Sequence, residues 1–452
     1  MTDVRSVHEG KHVMSKAVWG CALTGFLLCS APFLPVASAG EVDEDALFSS
    51  PEMVTQPAGS AVPEGGKKTI GFSGEMTGVT ETTAIKASTQ NIHHSYLVAN
   101  GFIDARLKND MKAFANLETV HDPEKSSNTF EVRELFFDFN VDRRVYLRTG
   151  KQVLQWGRCG LWNPTDLVNI ERKRFIRKIG YREGAYGLKL HAPFGARQNI
   201  YGFLDTGEAP TLEDLGGALK YEFLVGNTEM AFSGWAKKTY DPVWGYDFST
   251  RLGEVDVVGE ASVSRSSNKR QIFINQGMLD VRSKEDEWTP RASINFSRGF
   301  RMGNFNDRLR LSTEFFYDHS GYKKGFLTDS TAYPFAAPLV TRDAAGNIVT
   351  RTVGTKASFL LDNDLYEMNQ LSRHYGALFL TFGRFLLSDM ALNVNYVRNF
   401  DDSTGVLSSG VTYRNLSDLT LGLLVNTFTG PAGEYTYPMM KYNVQLTGGI
   451  SF

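Results

Sequence analysis

An all-β fold, a transmembrane antiparallel up-and-down β-barrel of about 18 strands, is predicted by three observations. Stretches in which apolar and polar residues strictly alternate recur from Thr69 to the last residue. The connections between them are short and long in turn. The polar side of the stretches carries charge of both signs. Alternation places successive side chains on opposite faces of a strand. Short turns at one end with long loops at the other is the rhythm of outer-membrane barrels. Ionised side chains inside a filled core would each cost on the order of several kcal/mol. A water-filled lumen removes that cost, so the apolar face is expected outward and the charged face inward.

In chain order, Lys11 and Lys16 precede the apolar stretch "AVWGCALTGFLLCSAPFLPV", which closes on Ala37-Ser38-Ala39. That is the pattern of a secretory signal cut before Gly40, so residues 1–39 are expected to be removed on export through the Sec pathway. The start, at Met1 or Met14, stays open. Residues 40–66 hold six acids, no bases and several Pro and Gly. Residues 40–68 therefore read as an acidic periplasmic tail. Cys159 is the one cysteine beyond the signal, which rules out a disulfide within the mature chain. After Ala39 no window offers the ~18 consecutive apolar residues of a membrane helix.

Residues 69–452 form the barrel. In "RLRLSTEFFYD", Leu309, Leu311, Thr313, Phe315 and Tyr317 share one face, and Arg310, Ser312, Glu314, Phe316 and Asp318 the other. In "ALKYEFLV", Leu219, Tyr221, Phe223 and Val225 oppose Lys220 and Glu222. Strand starts fall near Thr69, Tyr96, Met111, Phe130, Val145, Gly184, Asn199, Gly217, Thr228, Leu252, Arg270, Pro290, Leu309, Tyr375, Met390, Gly405, Leu419 and Lys441. The stretch 252–290 supports fewer strands on another reading, which would give 16. Residues 121–129, 157–180, 206–215, 239–251 and 320–373 read as the long outer loops, the last with a hairpin around "RDAAGN". The final strand has Tyr442, Val444, Leu446, Ile450 and Phe452 on its apolar face. It is expected to close the barrel against the first strand. A terminal aromatic on such a strand also resembles the end signal read by the barrel-assembly machinery.

The most unusual stretch is "RTGKQVLQWGRCGLWNPTDLVNIERKRFIRKIGYREG", residues 148–184. Arg148 and Gln152 lie on the wet face of its strand, and Trp156-Gly157 is expected to end that strand. "NPTDL" reads as a turn or helix start in which Asp166 accepts backbone N–H groups. Arg158, Arg172, Lys173, Arg174, Arg177, Lys178 and Arg182 face only Asp166 and Glu171 over the span from Arg158 to Arg182. Bases at an aqueous constriction favour anions. The plainer reading has these bases neutralising lipopolysaccharide phosphates, with Trp156 and Trp162 as girdle aromatics.

Gly150, Lys151, Gln152, Trp156, Gly157, Asn163, Pro164, Asp166 and Asn169 match the form G-[KR]-Q-x-x-x-W-G followed by N-P-x-D-x-x-N. This resembles porin-like outer-membrane barrels, including the alginate-export-like group. Ile170 stands where a Pro often follows. The resemblance implies a channel in the bacterial outer membrane, with passage of an acidic saccharide through an Arg-lined pore as its narrower form. Arg148 and the basic cluster are the positions that would carry that role.

The formal charge of −2 gives no sign of nucleic-acid binding. There is no phosphate-binding Gly loop, no haem attachment pair and no histidine spacing that suggests a metal, so no cofactor is expected and the chain does not read as an enzyme. Two function classes remain. One is a passive channel for small or anionic solutes. The other is a non-conducting scaffold around an export or electron-transfer partner, for which the acidic tail would be a periplasmic contact.

Overall fold

The computed structural model describes residues 69–452 apart from 86–90, 108, 124–126, 155, 167, 169–183, 208, 210, 239, 343–347, 364, 415–417 and 437–439. The expected signal peptide and acidic tail lie outside the described residues, as do Asn169, Arg172, Lys173, Arg174, Arg177 and Lys178.

One sheet of 18 antiparallel strands closes on itself. Its first half runs β1 (Thr69–Ile85), β2 (Asn91–Arg106), β3 (Lys112–Asp122), β4 (Ser127–Val141), β5 (Val145–Gln152), β6 (Ala185–Phe194), β7 (Gln198–Asp205), β8 (Gly216–Val225) and β9 (Thr228–Ala236). β10 (Val243–Leu252) and β11 (Val255–Ser264) follow. The hairpin β12 (Arg270–Asn275) and β13 (Met278–Ser283) then leaves the wall, and β14 (Thr289–Met302) and β15 (Phe305–Asp318) rejoin it. The longest connection holds β16 (Tyr333–Arg342), β17 (Ile348–Gly354) and a helix α1 (Lys356–Asp362). β18 (His374–Gly383), β19 (Met390–Asn399), β20 (Gly405–Arg414), β21 (Leu419–Thr429) and β22 (Met440–Ser451) complete the wall.

Strands β12, β13, β16 and β17 form a separate four-stranded sheet. It packs Ile272, Leu279 and Phe335 against Phe359 and Leu360 of α1 and against Leu371. This corrects two expectations. The strand predicted at Arg270 belongs to the outer hairpin and not to the wall. Residues 239–251, read as loop, contain wall strand β10. Its inward face, Gly245, Asp247 and Ser249, has the composition of a turn, while only Trp244, Tyr246 and Phe248 face outward, so the strand is hard to see by composition. The two errors offset, and the count of 18 stands. The connection expected at 121–129 is also shorter, since β3 extends to Asp122 and β4 begins at Ser127.

Facing rows agree with the alternation. Phe315 is 49% exposed while its neighbour Glu314 is 0% exposed. Leu219, Leu378, Leu421 and Leu446 are likewise exposed on the outer wall. Backbone groups are paired strand to strand around the whole circumference, so the sheet has no open edge.

The seam is β1 against β22, in register from Glu75↔Ser451 to Ala84↔Tyr442. Gly74 donates to Phe452 O at 2.7 Å and Phe452 donates back to Gly74 O at 2.9 Å. The Phe452 ring lies over Gly74, where a Cβ would come within 2.6 Å of its Cζ. Deleting Phe452 removes both bonds and the ring, and is expected to lower the temperature at which the barrel band converts to the unfolded band on a heat-modifiability gel. An unchanged conversion temperature would contradict this role for the last residue.

A loop folded into the barrel as the candidate functional site

The described part of the connection between β5 and β6, within 153–168, turns into the barrel and packs on its inner wall. The motif residues shape the entry. Gly150 sits at φ 122°, where a Cβ would come within 2.2 Å of Leu135 O, so only glycine fits. Gln152 is fully buried and its Nε2 donates to Arg148 O and Gly187 O, both at 3.3 Å. Lys151 is buried with its Nζ 5.5 Å from the Tyr186 ring centroid. Strand β5 ends at Gln152, four residues earlier than expected.

Trp156 packs with Leu154, Phe203 and Ala218, and its carbonyl accepts from Lys220 Nζ at 2.8 Å. Gly157 leaves room for Asn163, whose Cβ would otherwise lie 2.6 Å from a side chain there. Asn163-Pro164-Thr165-Asp166 form a turn closed by Asp166 N–H to Asn163 O at 3.2 Å, as the sequence suggested for this stretch. Trp162 is 1% exposed, stacked on Phe316 with centroids 5.4 Å apart, and donates from Nε1 to Asn369 O at 2.8 Å. The girdle position suggested for Trp156 and Trp162 is therefore wrong. Both rings are buried on the inside, where they seat the loop together with Leu154, Leu161 and Val168.

Five carboxylates on five wall strands hold the loop. Arg158 Nε donates to Asp247 Oδ1 at 2.5 Å, its Nη1 donates to Glu229 at 2.6 Å, and its Nη2 pairs with Glu222. Glu260 accepts the N–H groups of Arg158, Cys159 (2.6 Å) and Thr165 (3.2 Å), and the Thr165 hydroxyl at 2.8 Å. Glu314 accepts the N–H groups of Gly160 (3.0 Å), Leu161 (3.0 Å) and Trp162 (2.6 Å). Asn295 Nδ2 adds a further bond to Glu314 at 3.2 Å. Asp247 and Glu260 stand directly opposite each other on adjacent strands. Like charges so placed repel. Arg158 and Lys220, the latter 3.1 Å from Asp247, neutralise the pair.

Burial opposes the charge on Arg158, yet Asp247, Glu222 and Glu229 hold its guanidinium above the usual arginine range. Burial, with Glu260 and Glu314 beside it, pushes the Cys159 thiol far up, so this cysteine is an inert core residue.

These distances change the account of the lumen charges. They were expected to be hydrated. Instead Asp247, Glu260 and Glu314 are dry and matched to loop donors. Arg158 is locked in ion pairs and presents no free charge to a solute. Arg148 is held by Asp138 through two bonds of 2.6 and 2.9 Å and lies 3.8 Å from the Phe136 ring centroid. Sequence reasoning placed Glu222 and Glu314 on the wet face, but missed Glu229, Asp247 and Glu260 and the anchoring role of all five. The signal was present: each acid sits between residues that suit an outer wall, as in Tyr246-Asp247-Phe248 and Thr313-Glu314-Phe315.

A further buried acid ties the outer loops to this one. Glu434 accepts from Tyr375 Oη (2.8 Å), Asn399 Nδ2 (2.8 Å) and the Asn369 N–H (2.7 Å). Asn369 is the residue whose carbonyl receives Trp162. Burial pushes the Glu434 carboxyl from 4.5 up to about 7, with hydrogen bonds from Tyr375 and Asn399 opposing the rise. A raised carboxyl stabilises the packed loops most below its unfolded value of 4.5, and that contribution is lost as pH rises to about 7. Protection of the Asn369 amide, corrected for intrinsic exchange, is expected to fall across that window and to stay flat in Glu434→Gln. A flat profile in the unaltered protein would contradict the assignment.

On β18–β22 the inner wall carries amides and hydroxyls, while Glu81 of β1 shares the face of Thr83 and pairs with His94 at 3.2 Å. Thr381 Oγ1 bonds Asn393 at 2.9 Å, Ser408 bonds Asn426 at 2.6 Å, and Asn443 Nδ2 bonds Thr83 across the seam at 2.9 Å. The lumen therefore has the loop on one part of its wall and, on another, amides and hydroxyls beside the Glu81–His94 pair.

No family model matches the chain, and no curated protein matches it in sequence. In structure it resembles OccK8 (OprE) of Pseudomonas aeruginosa, with a TM-score of 0.51 at 6% identity over 85% of this chain and 98% of that one. OccK2 (OpdF) of the same organism gives 0.51 at 10% identity over 85% and 97%. OpdL, also from Pseudomonas aeruginosa, gives 0.50 at 8% identity over 85% and 98%. The likeness is one of fold: a closed 18-stranded antiparallel barrel. The family suggested by the motif rests on the motif residues alone.

Proposed function

We propose that this chain is a porin-like channel of the bacterial outer membrane that passes small solutes passively and prefers anions, acidic saccharides among them. The observation that carries the reading is a closed barrel, apolar outside, with a loop pinned across one side of a polar lumen. The solved barrels of similar fold are OprD/Occ outer-membrane porins, which supports the same reading. Residues 1–39 direct export through the Sec pathway and 40–68 remain as a periplasmic tail. The apolar wall meets lipid, bases of the outer loops meet lipopolysaccharide, and the strand ending at Phe452 is recognised by the barrel-assembly machinery.

Anion preference in this proposal comes from Arg172, Lys173, Arg174, Arg177 and Lys178. Arg148 and Arg158 already have carboxylate partners. The five bases lie between Val168, buried beside Leu154 and Trp156, and Gly184, packed against Arg133 O at the wall. The described residues on either side of the basic stretch are thus held at the barrel wall.

The test is the reversal potential across a planar bilayer under a salt gradient. Anion preference is expected, and Arg172→Ala, Lys173→Ala and Arg174→Ala together should reduce it on the order of twofold. A cation-selective pore that the triple variant leaves unaltered would remove the anion reading. A silent protein that co-purifies with a periplasmic partner would favour the scaffold class.

A further inference from the structure

We propose that the outer end of the lumen holds a capture site for a compact polyhydroxylated monoanion, about one sugar ring in size, directly above the docked loop. The proposal extends the channel reading, because it gives that channel a first stopping point for its solute.

A cavity of about 410 Å³ lies between the outer ends of β10, β11, β14 and β15 and the segments 265–270 and 365–370. Its volume is at the small end of the range for small-molecule sites, roughly 300–1,000 Å³, which limits the occupant to a monosaccharide-sized solute. Ser262 and Arg291 are direct cross-strand partners in its wall. Two residues deeper on the same strands are Glu260 and Ser293. Glu260 anchors the loop directly, and Ser293 bonds the other anchor, Glu314, at 3.3 Å. Two residues along a strand span roughly 6.6 Å, so the cavity floor is the layer to which the loop is pinned.

The charges define the ligand's sign. Lys269, Arg270 and Arg291 line the cavity with Asp318 and Glu367, three cations against two carboxylates. Arg291 Nε is buried and 3.4 Å from Asp318 Oδ2 but forms no hydrogen bond there, while Nη2 reaches Gln370 Oε1 at 3.3 Å. Lys269 Nζ donates to Gln370 O at 2.6 Å and stands 3.5 Å from the exposed Glu367 carboxylate. Both cations therefore keep donors for a further acceptor, and the surplus of one positive charge matches a monoanion.

The hydroxyls define its remaining chemistry. Ser262, Ser264, Ser267, Thr289 and Ser320 all border the space. Ser264, Thr289, Ser267 and Ser320 already bond within the protein, which leaves the Ser262 hydroxyl to meet a ligand; a hydroxyl both donates and accepts, so it suits a ligand whose own groups do the same. The Ser262 hydroxyl has no partner among the described residues and is positioned beside Arg291. A simple carboxylate would use the cations and leave the Ser262 hydroxyl unmatched. A neutral sugar would use that hydroxyl and leave the charge unmatched.

Isothermal titration of the detergent-solubilised full chain with D-gluconate, glucose and acetate tests this. Gluconate is expected to bind on the order of tenfold tighter than either of the others, the scale of one charge-assisted contact. Lys269→Gln should weaken gluconate alone by a similar factor. Ser262→Ala, which disturbs no ion pair, should weaken both gluconate and glucose. Equal binding of the three probes, or gluconate affinity unchanged in both variants, would overturn the site. Conductance in a bilayer separates this outcome from the channel reading. A conducting barrel that does not bind gluconate removes the site alone. A gluconate-binding barrel that does not conduct removes the channel alone.

Discussion

Glu314→Ala is expected to release the docked loop and enlarge the single-channel current. The Glu314 side chain satisfies the N–H groups of Gly160, Leu161 and Trp162 inside the barrel. Removing it leaves three buried donors without an acceptor, at about 1–3 kcal/mol each. The strand ladders of β14, β15 and β18 do not depend on that side chain, so the barrel itself should persist. The seat of Trp162 would then be held by its ring contacts with Phe316 and Tyr375 and by its bond to Asn369. Current steps larger than those of the unaltered protein, together with new protease cleavage within 157–166, are the expected readouts. Unchanged steps and an uncleaved loop would show that Glu314 does not hold the constriction. Glu314→Gln is a weak substitute, since its amide nitrogen would point at N–H donors.

Arg158→Met is expected to turn the pore toward cations. The guanidinium is shared by Glu222, Glu229 and Asp247 on three strands. Breaking a buried ionic group by removing one partner typically costs about 3–5 kcal/mol, because the remaining charge has no compensation. Here Asp247 is 0% exposed and would keep only Lys220. The carboxylates regain water by displacing the loop, which exposes negative charge to the lumen. The reversal potential should shift in the cation direction, and conductance should become noisier. Arg158→Lys should not restore the original value, since one ammonium cannot present the planar fork that reaches three acids. Full rescue by lysine would contradict the geometry.

Much of the wall was legible in the sequence because its two environments differ so strongly. Leu309 to Asp318 and Tyr442 to Phe452 could be assigned to faces residue by residue. Strand β10 was not legible, since Gly245, Asp247 and Ser249 on its inner face have turn-like composition and only register with β9 and β11 identifies it. The hairpin at Arg270 carries the same alternation as a wall strand. Its place in a small outer core with Phe335 and Phe359 depends on contacts far along the chain. The bases of the loop mark this stretch out in the sequence, but other contacts hold its described part. Arg158 and three backbone N–H groups around Glu314 bind acids that are distant in sequence, and no local pattern announces such pairs.

Everything rests on apolar side chains facing hydrocarbon and polar ones facing enclosed water. Adjacent residues of β22 test this directly. Leu446 is exposed on the outer wall, and Thr447 faces inward against Val79 and Gly422. In a background of Cys21→Ser, Cys29→Ser and Cys159→Ser, Leu446→Cys and Thr447→Cys variants can be placed in liposomes and treated with a small, charged thiol reagent. Labelling at position 447 with protection at position 446 is the predicted result; labelling at 446 with protection at 447 would contradict the account.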